Sequence, residues 1–155
     1  MPPLRLGKIP TGLGTATLFV TISEDDRPLL RVDLYDGLSS SPFTDAVGWG
    51  ERVFVGFEDA LYVIDPKARV GSSISLASYF QAFYATADLL VVASGRELLR
   101  LSRSGEILWR APDLAVDGVI VRSVDKGLIH GEGEWDPPGG WRAFVLRLDS
   151  GERVS

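Results

Sequence analysis

Leu89-Leu-Val-Val-Ala-Ser-Gly95-Arg-Glu-Leu-Leu-Arg-Leu-Ser102 consists of two short apolar runs joined across a Ser-Gly pair. A run of four or five apolar residues ended by turn formers has the length of a strand, and two in succession make a hairpin. The same unit stands on either side of it. Arg52-Val-Phe-Val55 leads through Glu58-Asp59 to Leu61-Tyr-Val-Ile-Asp65, and Leu128-Ile-His130 leads through a longer excursion to Phe144-Val-Leu-Arg-Leu-Asp149. Earlier in the chain Leu18, Val20 and Ile22 alternate with Thr17, Phe19, Thr21 and Ser23 until Glu24-Asp-Asp-Arg-Pro28 interrupts. Leu30, Val32 and Leu34 resume the alternation before Asp36-Gly37. Alternation at period two between turn residues marks a hairpin with one buried face.

Matched positions recur regularly: Phe19, Phe54, Val91 and Ile129 are separated by 35, 37 and 38 residues. A further apolar stretch precedes the later hairpins, at 46–49, 82–85 and 119–124, and short runs at 107–109 and 152–154 follow two of them. Three or four strands in about 40 residues is the arithmetic of a propeller blade. The expectation is an all-β fold, an antiparallel meander of four repeated units resembling a small β-propeller. A chain of 155 residues suits one domain, 1–155, with units near 15–37, 45–70, 82–110 and 118–155. Leu76, Tyr79, Phe80 and Phe83 have helical spacing, yet the aromatic and β-branched content of 74–84 favours two strands joined by a bend. The first unit lacks a clear leading strand before Thr17, so Glu152-Arg-Val-Ser155 is expected to pair beside it. Pairing of the two termini would close a monomeric ring and hide its sheet edges.

Leu101-Ser-Arg-Ser-Gly105-Glu-Ile-Leu-Trp109 resembles the repeat of quinoprotein-type β-propellers, in which a Leu-Asp pair, a turn, a Gly and a Trp four residues later close each blade. Leu148-Asp-Ser-Gly-Glu152 is similar to the same turn, and Val63-Ile-Asp-Pro66 to its first part. The resemblance implies a meander of four-stranded blades. Ser102 replaces the Asp, and the turn at Arg103-Ser104 is one residue shorter than in the repeat. What carries over is architecture, without a pyrroloquinoline quinone site, and no cofactor is expected.

The 16 Lys and Arg against 21 Asp and Glu give a net charge of −5, which argues against a nucleic-acid partner, since that needs clustered basic residues. The absence of cysteine excludes disulfides, thiolate nucleophiles and Cys-based zinc sites. The longest uninterrupted apolar stretch, 89–93, falls far short of the roughly 20 residues that span a bilayer. Residues 1–10 lack the apolar core of a signal peptide. The expected setting is the cytoplasm, with no membrane partner. Among the basic residues only Lys8, Lys67 and Lys126 are lysine, an Arg bias typical of a GC-rich bacterial genome.

Familiar catalytic motifs are missing. There is no Walker-type phosphate loop, Gly12 and Gly14 are not followed by the third glycine of a dinucleotide fingerprint, and no Gly-x-Ser-x-Gly elbow occurs. His130 is the single histidine, which limits both a catalytic triad and zinc chemistry.

One segment stands out, Gly131-Glu-Gly-Glu-Trp-Asp-Pro-Pro-Gly-Gly-Trp141, which lengthens the last repeat. Loops that outgrow their repeat often carry function. His130, Glu132, Glu134 and Asp136 would share one face of a continued strand, spaced by about 6.6 Å. Gly131 and Gly133 on the opposite face would admit another backbone or a ligand. A carboxylate-and-imidazole cation site, an acid/base pair at Glu132 and Glu134, and a merely solvated acidic hairpin are three readings of this pattern. In a fourth, Trp135 and Trp141 sit exposed among the carboxylates as anchors for a basic protein or a cationic ligand. Trp49 and Trp109, within strand patterns, are expected to be structural. The leading expectation is a non-catalytic binding protein whose site is His130, Glu132, Glu134, Trp135, Asp136 and Trp141, with no metal. Its size and acidity are those of bacterial immunity proteins, an analogy only. The alternative is a metal- or carboxylate-dependent hydrolase using His130, Glu132, Glu134 and Asp136.

Overall fold

The computed structural model describes residues 2–9, 11–35 and 43–155, and in it the hairpins become four sheets. The first contains β1 (Leu4–Gly7), β2 (Leu18–Glu24) and β3 (Arg27–Tyr35), in the order β1-β3-β2. β4 (Thr44–Trp49), β5 (Arg52–Phe57), β6 (Ala60–Asp65) and β7 (Val70–Ser75) form the second. The third holds β8 (Phe80–Ala85), β9 (Leu90–Ser94), β10 (Leu98–Leu101) and β11 (Ile107–Ala111), and the fourth β12 (Val119–Asp125), β13 (Leu128–Glu134) and β14 (Trp141–Arg147). This is the expected all-β arrangement of four repeated, propeller-like units. Stretch 74–84 is two strands with a bend between them, while the expected turn at Asp36-Gly37 lies outside the described residues. Among the described residues no helix is long and apolar enough to cross a membrane.

Turn chemistry sets the hairpins. Asp25 and Asp26 take φ of 48° and 61°, and Lys126 and Gly127 take 51° and 76°. Two successive positive-φ residues are what a tight two-residue hairpin needs to match strand twist.

Burial explains why some strands alternate and others do not. The second and third sheets are covered on both faces, so Leu61-Tyr-Val-Ile64 and Leu90-Val-Val92 are buried at every position. Three core clusters join neighbouring sheets. Val32 and Leu34 meet Val55 and Ile64, Phe54 and Leu61 meet Phe80, Leu90 and Leu99, and Val91 and Leu98 meet Val119, Ile129, Phe144 and Leu146. Among the described residues no cluster joins the first sheet to the fourth. Among the described residues the stack is therefore an open arc. Its end sheets alternate, apolar toward the arc and polar outward, as terminal repeats do.

The residues that resemble the quinoprotein repeat fasten one sheet to the next. Trp109 donates its Nε1–H to the Leu148 carbonyl at 2.8 Å, and Trp49 donates to that of Thr86 at 2.9 Å. Both indoles are buried, as expected of structural tryptophans. Gly151, at φ 74°, lies so close to Trp109 that a Cβ would stand 2.6 Å from the indole. Only glycine suits both demands.

The termini depart from expectation. The C-terminal segment pairs within its own sheet: Arg153 bridges Leu146, and Val154 N–H donates to Val145 O at 2.8 Å. β1 pairs in parallel with β3, so that edge of the first sheet is already taken. The physical reason is loop closure. A short turn at 149–151 returns the chain to the free edge of β14 at little entropic expense. The termini do not seal a ring by pairing with each other.

Candidate functional site

The outer face of the fourth sheet gathers most of the residues singled out in the sequence. In the register of β13 with β14, His130 opposes Val145, Glu132 opposes Ala143 and Glu134 opposes Trp141. Opposed residues share a face, so these six form one surface. Trp141 is 43% exposed there. Glu132 accepts from Arg122 Nη2 at 2.8 Å and Nε at 3.1 Å. Both charges are partly exposed, so this pair orients the side chains more than it stabilises the sheet.

Asp136 and Trp135 are placed differently. β13 ends at Glu134, and 135–140 forms the hairpin tip, so Asp136 does not extend the row of His130, Glu132 and Glu134. Trp135 N–H donates to Gly140 O at 3.1 Å and Asp136 N–H to Gly139 O at 3.3 Å. Glu134 Oε2 accepts from Gly139 N–H at 2.7 Å, closing the tip. The Pro137–Pro138 bond is cis. The three hydrogen bonds turn the chain at 135–140, before Asp136 can continue the strand. Trp135 is half-buried, with the Arg142 guanidinium 5.8 Å from its ring centre.

The opposite face behaves as its glycines suggest. A Cβ at Gly133 would stand 1.8 Å from the Leu114 carbonyl oxygen, and one at Gly131 2.5 Å from the Phe144 ring. What approaches Gly133 is the segment linking the third and fourth sheets.

Sequence reasoning missed a group beside Trp141. The Tyr79 hydroxyl donates to Asp117 Oδ1 at 2.9 Å, and Phe43 stacks on Tyr79 with ring centres 5.9 Å apart. A Cβ on Gly118 would touch Trp141 at 3.2 Å, so the indole lies against this group. Burial raises the Tyr79 pKa to about 12, helped by the hydrogen bond to Asp117 and the charges of Asp117 and Glu134. The phenol remains a donor throughout the neutral range. Phe43, Tyr79 and Asp117 each fall one or two residues before the first strand of a four-stranded or terminal sheet, and that shared position is the only trace they leave in the sequence.

The carboxylates are spread along a strand rather than gathered in a cavity. Among the described residues no three His, Cys, Asp or Glu side chains lie where they could hold a metal ion. A cavity of about 130 Å³ between β8 and β12 is lined by Phe83, Tyr84, Val91, Val119 and Val121, with Gln81 at its edge. Its walls bring no carboxylate or imidazole.

Four twisted sheets, stacked face to face with aromatic and glycine fasteners between them, define the β-propeller-like class. No protein-family model matches the chain, and no curated protein matches it. Among solved structures it is similar to BamB from Moraxella catarrhalis, a β-propeller with PQQ-like repeats. The TM-score is 0.58 at 17% identity, over 92% of this chain and 44% of that one. The likeness is one of fold, and this chain spans less than half the length of that neighbour.

Proposed function

We propose that this chain is a non-catalytic protein-recognition module, and that its docking surface is the outer face of the fourth sheet. Trp141 is the anchor and Glu132 and Glu134 are the acidic surround, which favours a partner with a basic surface. The observation that carries the reading is Trp141 itself, 43% exposed at the hairpin end of the sheet's outer face and opposed to a carboxylate. A large exposed aromatic with charged neighbours is the composition of an interface hot spot, and complementary charge speeds and selects the encounter.

A photo-crosslinking residue at Ala143, exposed on this face, tests it in cells against the same residue at Lys67, exposed in the turn between β6 and β7. Protein adducts should form at 143 and not at 67. Trp141→Ala should reduce them at least tenfold, the effect of about 2 kcal/mol lost at a hot spot. Equal yields at the two positions, or yields unchanged by Trp141→Ala, would overturn the proposal.

A further inference from the structure

Among the described residues none covers Phe19, Arg5 and Thr21 on the outer face of the first sheet, where Asp33 and Tyr35 are buried, or Trp141, His130 and Ala143 on that of the last. On the first sheet the register places Phe19 opposite Asp33, and Arg5 beside Asp33 on the same face; Thr21 opposes Arg31. Phe19 is 58% exposed, with the Arg31 guanidinium 4.5 Å above its ring and bonded to Asp33 at 2.8 Å. Arg5 and Arg31 thus outnumber the one carboxylate. On the fourth sheet Glu132 and Glu134 outnumber Arg122 toward the Trp141 end, while Asp125 and Arg147 balance each other at the far end beside Leu128. One end is aromatic and basic, the other aromatic and acidic. At every internal boundary the corresponding faces pack on each other. BamB, similar over almost all of this arc, devotes more than half of its chain to what lies beyond it.

From this we infer that the partner of the fourth sheet's outer face is the first sheet of a second copy of this chain. Two arcs then meet head to tail at two equivalent places and close a ring of eight sheets. Propellers of up to about eight blades are common. The contact is heterologous, yet the two-fold closes it, so association stops at a dimer. The partly polar faces make the dimer salt-sensitive. This inference rests on the proposed docking role of the fourth sheet and departs from the monomer expected from sequence.

Light scattering and sedimentation of the purified chain test it. At low salt the mass should be twice 16.9 kDa, falling toward one copy in about 1 M salt. Two variants add charge at exposed positions. Arg5→Glu with Thr21→Glu turns the first face acidic, and His130→Arg with Ala143→Arg turns the last face basic. Each alone should be monomeric, because like charges then meet. Mixed, they should form a heterodimer, since both contacts regain opposite charge. Recovery on mixing shows that both variants are folded. A wild-type chain that stays at 16.9 kDa, or variants that do not recover on mixing, would overturn the inference. Trp141-dependent adducts at position 143 to a different protein would leave the docking face standing while removing the second copy; no adducts at all would remove both.

Discussion

Phe80→Ala is expected to destabilise the protein by about 3–5 kcal/mol, the range for deleting a buried aromatic ring. Phe80 is fully buried where the second sheet meets the third, packed with Phe54, Leu61, Leu90 and Leu99. Its ring lies directly on Gly56 of β5, where a Cβ would come within 2.1 Å. Gly56 has no side chain to move into the space, so the cavity left by alanine stays largely open. Thermal unfolding should fall by an amount on the order of 10 °C. Phe80→Leu, which keeps most of the volume, should cost less. A loss below about 1 kcal/mol for the alanine variant would mean that this boundary is not packed as described.

Gly133→Ala is expected to be about as damaging from a smaller change. The added methyl would lie 1.8 Å from the Leu114 carbonyl oxygen, a backbone atom that cannot rotate aside. Leu114 is tied by its N–H to Arg96 O at 2.9 Å, and Val116 N–H is bonded to Glu134 O at 2.8 Å. Relief therefore requires shifting the linker or β13. Overpacking typically costs about 1–3 kcal/mol, and a backbone obstacle puts this variant at or beyond the upper end. The comparison is Gly48→Ala, where a Cβ meets nothing within 4 Å. That variant should stay within about 0.5 kcal/mol of wild type. Equal stabilities for the two variants, measured by denaturant unfolding, would contradict the packing of the 114–116 linker on β13.

The strands were legible because burial leaves a local pattern. Leu18, Val20 and Ile22 alternate since one face of their sheet is covered. Leu90, Val91 and Val92 do not alternate, since both faces are. The Gly and Trp near 105–109 could be matched to a known repeat because each makes a contact, with Val63 and with Leu148, that tolerates few other residues. The placement of β1 was not legible. Leu4-Arg-Leu-Gly7 is four residues long, and its partner, 32–35, is distant in sequence and parallel. The C-terminal pairing was misread for a related reason, since edge partners are chosen by proximity in the folded sheet.

The candidate site divides along the same line. His130, Glu132 and Glu134 share a face because strand alternation is a local property. Asp136 leaves that face because the chain turns at 135–140, and composition there signalled a bend without fixing where it begins. Phe43, Tyr79 and Asp117 come from three different connections and meet only because the sheets stack. No spacing within one segment could announce them.

In the proposed dimer the two end faces meet between copies and not within one. Thr21→Cys combined with Ala143→Cys places one thiol on each end face, and the chain has no native cysteine to confuse the result. A short bismaleimide applied to this variant at low salt should yield a covalent dimer whose linkage joins position 21 of one copy to position 143 of the other. A link between the two positions within a single chain, persisting on dilution, would show the arc closing on itself and would contradict the account.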